Sequence, residues 1–144
     1  MPLGSQKRYF LKMVNVVLIG SNPSVRSPDN SPFHASTRSR IIVDEWFRDM
    51  GCEISFMNIC EEKTQDNKPL TQKQIRNHLL PFSKRLSELN PDKIVTLGRS
   101  AEYGCQILGI PFFPMPHPSG LNRQLNDKKF IDSKIEELRK FIDG

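Results

Sequence analysis

Met13–Ser24 reads MVNVVLIGSNPS. Its first seven residues, Met13–Ile19, are apolar but for Asn15 and rich in β-branched side chains, and Gly20 closes the run. That is the pattern of a strand buried on both faces, which belongs to a parallel sheet covered by helices. Working outward, Ser21–Thr37 holds three prolines and five serines with no periodicity. So long a loop in so small a domain is usually functional. Thr37 is placed to cap a helix from Arg38 to about Met50, with Ile41, Ile42, Glu45, Trp46 and Asp49 at a mixed three–four spacing. Gly51 ends that helix, and Glu53–Ile59 (EISFMNI) reads as a second strand.

Lys63–Leu70 is polar and turn-rich. Thr71 then caps a helix over Gln72–Leu89, whose apolar face is Ile75, Leu79, Phe82, Leu86 and Leu89. Pro81 sits inside that pattern, where it can kink the helix. Lys93–Leu97 (KIVTL) is a third strand, Gly98 opens a helix through Leu108, and Ile110–Phe113 reads as a short fourth strand. A polar loop leads to a last amphipathic helix over Asp127–Ile142, with Phe130, Ile131, Ile135, Leu138 and Phe141 facing inward. Alternating strands and helices predict an α/β fold, a three-layer α/β/α domain on a central, mainly parallel four-stranded sheet.

The chain has 144 residues, one domain's worth. Residues 1–5 (MPLGS) resemble an expression-tag scar, leaving 6–144 as a single domain. A composition of 37% hydrophobic and 26% charged residues excludes wholesale disorder. No apolar run reaches the ~18 residues of a membrane span, and no leader precedes the first strand, so an intracellular protein without membrane contact is expected. Cys52, Cys60 and Cys105 form no CxxC, and the three histidines lie too far away for a zinc pattern. They read as small thiols in a reducing compartment, with no metal and no cofactor. The net charge of +5 permits a polyanionic partner.

In an open parallel sheet, ligands bind beyond the carboxyl ends of the strands. Three unusual segments fall there: Gly20-Ser21-Asn22-Pro23-Ser24, Asn58 at the end of the second strand, and Met115–Arg123 (MPHPSGLNR). GSNPS, then SPFHAS at 31–36, then Met57-Asn58, then HPSGLNR at 117–123 together resemble the uracil-DNA glycosylase superfamily. Each motif is weak alone, and four in the right order are fairly specific. The resemblance runs from about Val14 to the C-terminus. Asn22-Pro23 is similar to the mismatch-specific and single-strand-selective branches, with His117 where the mismatch branch often has asparagine. The layout from Asn58 to Ala101 is closer to the iron–sulfur branch, although three cysteines cannot supply that branch's four ligands.

The resemblance implies a monomeric, monofunctional DNA glycosylase that flips out a base and hydrolyses its N-glycosidic bond. Cleavage puts cationic character on the sugar and negative charge on the leaving base, so a catalyst needs a placed water and a donor to the base oxygen. By motif position Asn22 would hold the water and His117 would be the donor. Asn58 offers an acceptor and donors that match the edge of a uracil-type base, and Phe33 is similar to the aromatic that stacks on it. Gly20 and Ser21 would complete the base site. Ser24 stands where the strict uracil branch has a tyrosine, so 5-modified pyrimidines are expected to fit.

Ser119, Gly120, Leu121, Asn122 and Arg123 would contact DNA, with Leu121 and Arg123 placed to fill the gap left by the extruded base. Arg26, Arg38, Arg40, Arg99, Lys128 and Lys129 flank the same rim as phosphate ligands. Compact connections favour single strands or short substrates. Each residue also has a plainer reading. Asn22 suits an Asx-turn before Pro23, Asn58 a strand-end cap, His117 an ordinary loop position, and Phe33 the core. Two other functions share the pocket: hydrolysis of free or hypermodified nucleosides and nucleotides, and non-catalytic binding of a base or a partner protein.

Overall fold

The computed structural model describes residues 13–119 and 122–144. Four strands, β1 (Asn15–Gly20), β2 (Glu53–Asn58), β3 (Lys93–Leu97) and β4 (Phe113–Met115), form one sheet in the order β2-β1-β3-β4. All three pairings are parallel. The connecting helices are α1 (Arg38–Trp46), α2 (Gln72–Leu89), α3 (Arg99–Leu108) and α4 (Lys128–Asp143).

The two-residue alternation of β1 divides the core. Val17 and Ile19 pack with α2 and α3 residues such as Ile75, Leu79, Phe82 and Cys105. Val16 and Leu18 pack on the opposite face with Val43 and Trp46 of α1 and Leu138 and Ile142 of α4. All four β1 side chains are fully buried, and each such burial contributes about 1.5–3 kcal/mol. The layers are therefore helix, sheet, helix. The chain leaves β1 over one face to reach β2, then recrosses over the other face to reach β3. The resulting switch point lies between the carboxyl ends of β1 and β3, where connections depart to opposite faces and a crevice opens.

Three local expectations shift. α1 stops at Trp46, short of Met50, because Phe47 leaves helical geometry and turns the chain toward Gly51. Val43, Trp46, Phe47 and Met50 fill the core instead, and Ile41 faces solvent. The fourth strand is Phe113–Met115 and not Ile110–Phe113. The chain comes alongside β3 only at Phe113, opposite Val95. Pro114 is tolerated because β4 is an edge strand whose missing N–H faces no partner. On α4 the buried residues are Leu138 and Ile142, with Phe130, Ile131, Ile135 and Phe141 only partly covered. α2 runs unbroken through Pro81, which lies exposed on its outer face. Among the described residues, no helix is long and apolar enough to cross a membrane.

Candidate active site

Four segments meet at the switch point because β1, β2 and β3 end level with one another. Pairing continues past β2: the Ile59 N–H donates to the Gly20 carbonyl and the Cys60 N–H to the Ser21 carbonyl. The spacing between Asn58 and Asn22 is thereby fixed by backbone, not by side-chain chance. A pocket of about 90 Å³ opens here, lined by Ser21, Asn22, Pro23, Ser24, Ser27, Ser31, Phe33, His34, Thr37, Ser39, Asn58 and His117. Its volume is below the ~150 Å³ of an apolar cavity that takes up benzene, and it is open to solvent on one side.

Gly20 makes the convergence possible. A Cβ there would stand 2.6 Å from the Asn58 Oδ1 and 2.6–2.7 Å from the edge of the Phe33 ring. Phe33 itself has φ 51, a costly conformation for a bulky residue. Arg40 holds it there. The Arg40 Nη1 donates to the Phe33 carbonyl at 3.0 Å, its Nε pairs with Asp44 at 2.9 Å, and its guanidinium lies 4.3 Å from the centre of the Phe56 ring. Phe56 in turn packs on Phe33 with ring centres 5.4 Å apart. Gly20→Ala is expected to displace Phe33 and Asn58 and to cost about 1–3 kcal/mol as overpacking does. Thermal unfolding of the variant checks this.

Asn58 is buried, and its side-chain amide has no hydrogen-bond partner among the described residues. Its backbone carbonyl accepts from the Arg85 Nη2 at 3.1 Å, and Arg85 is itself paired with Glu61 at 2.8 Å. The strand end is thus held from α2 while the amide stays available to a ligand. The Ser27 hydroxyl, which also lines the pocket, is buried without a partner among the described residues.

Asn22 is held on both sides. The Ser21 Oγ donates to its Oδ1 at 2.8 Å, and its Nδ2 donates to the Thr64 Oγ1 at 3.3 Å. His117 lies against Gly98, which has φ +96 and where a Cβ would lie 3.2 Å from the His117 Cβ and Cδ2. Neither ring nitrogen has a partner among the described residues. The residue as a whole is exposed, yet its ring is enclosed enough that burial pushes its pKa below the ordinary 6.5. The folded ring therefore binds fewer protons than the unfolded one. Its contribution to stability is present above pH 6.5 and is lost as pH falls toward the lowered value. An NMR titration of the His117 ring is expected to find a midpoint below 6.5.

Of the other expected contacts, Ser24 lines the pocket and closes a turn by accepting from the Ser27 N–H. Arg26, Arg38, Arg99, Arg123, Lys128 and Lys129 are exposed, and none pairs with a carboxylate among the described residues. Arg40 differs: its charge is spent inside the fold. Asn122 also turns inward, its Nδ2 donating to the His117 carbonyl and its Oδ1 accepting from the Gln124 N–H. The Ser119 N–H donates to the same His117 carbonyl. Gly120 and Leu121 lie outside the described residues. His34 also lines the slot, with its Nδ1 accepting from the Ser36 N–H. The thiols are free, and burial pushes Cys105 up to about 12.

The sequence offered no signal for Lys63, Thr64, Asn67 or Arg85. The first three sit in the turn-rich stretch after β2, and only the folded chain lays that stretch under the Asn22 loop. The Lys63 Nζ donates to the Ser27 carbonyl at 2.6 Å, and the Asn67 Oδ1 accepts from the Val25 N–H at 2.9 Å.

The chain is a doubly wound α/β/α protein with a pocket at its switch point that an amide and an imidazole both line. Residues 8–139 match the family model of the uracil DNA glycosylase superfamily, and the chain belongs to that superfamily. No curated protein matches it. Membership supports a DNA-glycosylase-like function with DNA as substrate.

Proposed function

We propose that the chain is a monofunctional DNA glycosylase that takes a flipped uracil-type or 5-modified pyrimidine into the slot and hydrolyses its bond to deoxyribose. The observation that carries this reading is that Asn22, Phe33, Asn58 and His117, far apart in sequence, all line one pocket. Phe33 supplies the flat face a flipped base needs after losing its neighbours. The unpartnered Asn58 amide pairs with the base edge, and a uracil-type edge recovers hydrogen bonds that an apolar ligand would leave unmade.

In the reaction, the bonding pair between sugar carbon and base nitrogen leaves with the base. His117, neutral at pH 7, donates a hydrogen bond to the base oxygen on which that charge collects. The Asn22 Oδ1 accepts a hydrogen bond from the water that attacks the sugar carbon, and the water's oxygen forms the new bond there. The water's released proton neutralises the departing base. Among the described residues no lysine lines the slot, and Lys63, in the turn after β2, is held on the Ser27 carbonyl. Both favour hydrolysis over Schiff-base chemistry. Small Ser24 leaves space beside the ring for a 5-substituent.

The uncommitted cations around the rim favour polymeric DNA over a free nucleoside, because phosphate contacts supply most non-specific affinity. The test is a single-turnover panel of oligonucleotides bearing uracil, mismatched thymine, hypoxanthine and 5-substituted pyrimidines, with alkali to reveal abasic sites. Cleavage in a pyrimidine lane, absent with the mononucleotide, is the expected result. Salt-sensitive binding with no abasic product in any lane would leave a non-catalytic reader.

A further inference from the structure

We infer that Thr64 is a positioning residue that fixes which end of the Asn22 amide faces the reacting water; the inference rests on the glycosylase reading of the slot. Thr64 precedes the short 3-10 turn Gln65–Asn67, where a threonine would ordinarily cap the turn with its hydroxyl, yet it makes no such cap. Its Oγ1 instead donates to the Lys68 carbonyl at 2.7 Å and accepts from the Asn22 Nδ2 at 3.3 Å. A hydroxyl has one proton. With that proton committed to Lys68, Thr64 can only accept from Asn22, so the amide must turn its NH2 toward Thr64. The Oδ1 then faces Ser21, which donates to it, and keeps a second lone pair.

That orientation matters to the chemistry. A water that attacks carbon needs its own lone pair free, so its protons must be held by acceptors. The Asn22 Oδ1 is such an acceptor. A reversed amide would grip the water by the lone pair that has to react. The turn carrying Thr64 is tied down on either side, by Lys63 on the Ser27 carbonyl and by Asn67 on the Val25 N–H. Asp66 and Asn67 adopt φ 52 and 58 to allow this, the left-handed region that Asp and Asn tolerate best among residues with a side chain.

The test replaces Thr64 by valine, which keeps the branched shape and removes the hydroxyl, and by serine, which restores it; Thr64→Ala stands in if valine fails to fold. Thr64→Val is expected to lower the single-turnover rate of base release about tenfold, the effect of one net hydrogen bond. The dissociation constant for the oligonucleotide stays unchanged, and Thr64→Ser recovers the rate. In an Asn22→Ala background, Thr64→Val is expected to add nothing, since the two act as one unit. Independently of any substrate, the side-chain NH2 resonances of Asn22 are expected to shift in Thr64→Val and return in Thr64→Ser. Wild-type rates in Thr64→Val, an equal loss in the Asn22→Ala background, or unmoved Asn22 resonances would each overturn the inference. Should the wild-type chain release no base, the glycosylase reading fails while the resonances still decide the contact.

Discussion

His117→Ala is expected to lower the single-turnover rate of base release by about 10²–10³, the usual loss for one donor to a developing oxyanion, with little change in oligonucleotide affinity. The ring occupies the wall formed by Gly98, and its nitrogens have no competing protein partner among the described residues. A donor that is unengaged before substrate arrives gives its full interaction to the charge that appears during bond cleavage. Burial lowers its pKa and so favours the neutral ring, whose single N–H is the donor. The loop should survive the change, because Asn122 and Ser119 bind the His117 main-chain carbonyl and not the ring. A circular dichroism melt confirms the fold, and a variant that cleaves as fast as wild type removes His117 from the chemistry.

Much of this arrangement was legible in the sequence because burial on both faces leaves a strong signature. The MVNVVLI run could only be a central strand, and β1 lies between β2 and β3. Lys93–Leu97 and Gln72–Leu89 are likewise dictated by composition, capping and spacing, and their observed bounds agree. Edges were harder to read. Pro114 argues against a strand unless the strand is known to be terminal, and that depends on tertiary pairing. Ile41 and Val43 of α1 are both apolar, and only the sheet's position decides which turns inward.

Site residues separate in the same way. Asn22, Asn58 and His117 stood out because polar residues at strand ends and in proline-rich loops have no role in packing; Phe33 stood out by its motif, although it also packs on Phe56 and the core. Arg40 looked like any loop cation, and its attachment to Phe33, Asp44 and Phe56 depends on side chains up to sixteen residues away. Thr64 and Asn67 lie in an unpatterned stretch, where local propensity marks a turn but does not say what the turn supports.

Asn22→Ala is expected to reduce base release by about 10²–10⁴, the range lost with a positioned group acting on a proton in the transition state. Alanine keeps the backbone before Pro23 and removes the acceptor, leaving the water unordered. Asn22→Asp separates positioning from charge. A carboxylate still accepts from Ser21, although it loses the amide NH2 that donates to Thr64. The carboxylate also places negative charge near the sugar as that carbon becomes cationic, which the amide cannot do. The aspartate variant is therefore expected to retain far more activity than the alanine variant. Its rate should fall as pH drops through the aspartate's pKa, whereas the wild-type asparagine has no such titration. Equal loss in both variants would mean that Asn22 shapes the loop without holding the water, and the rate measured against pH distinguishes the two.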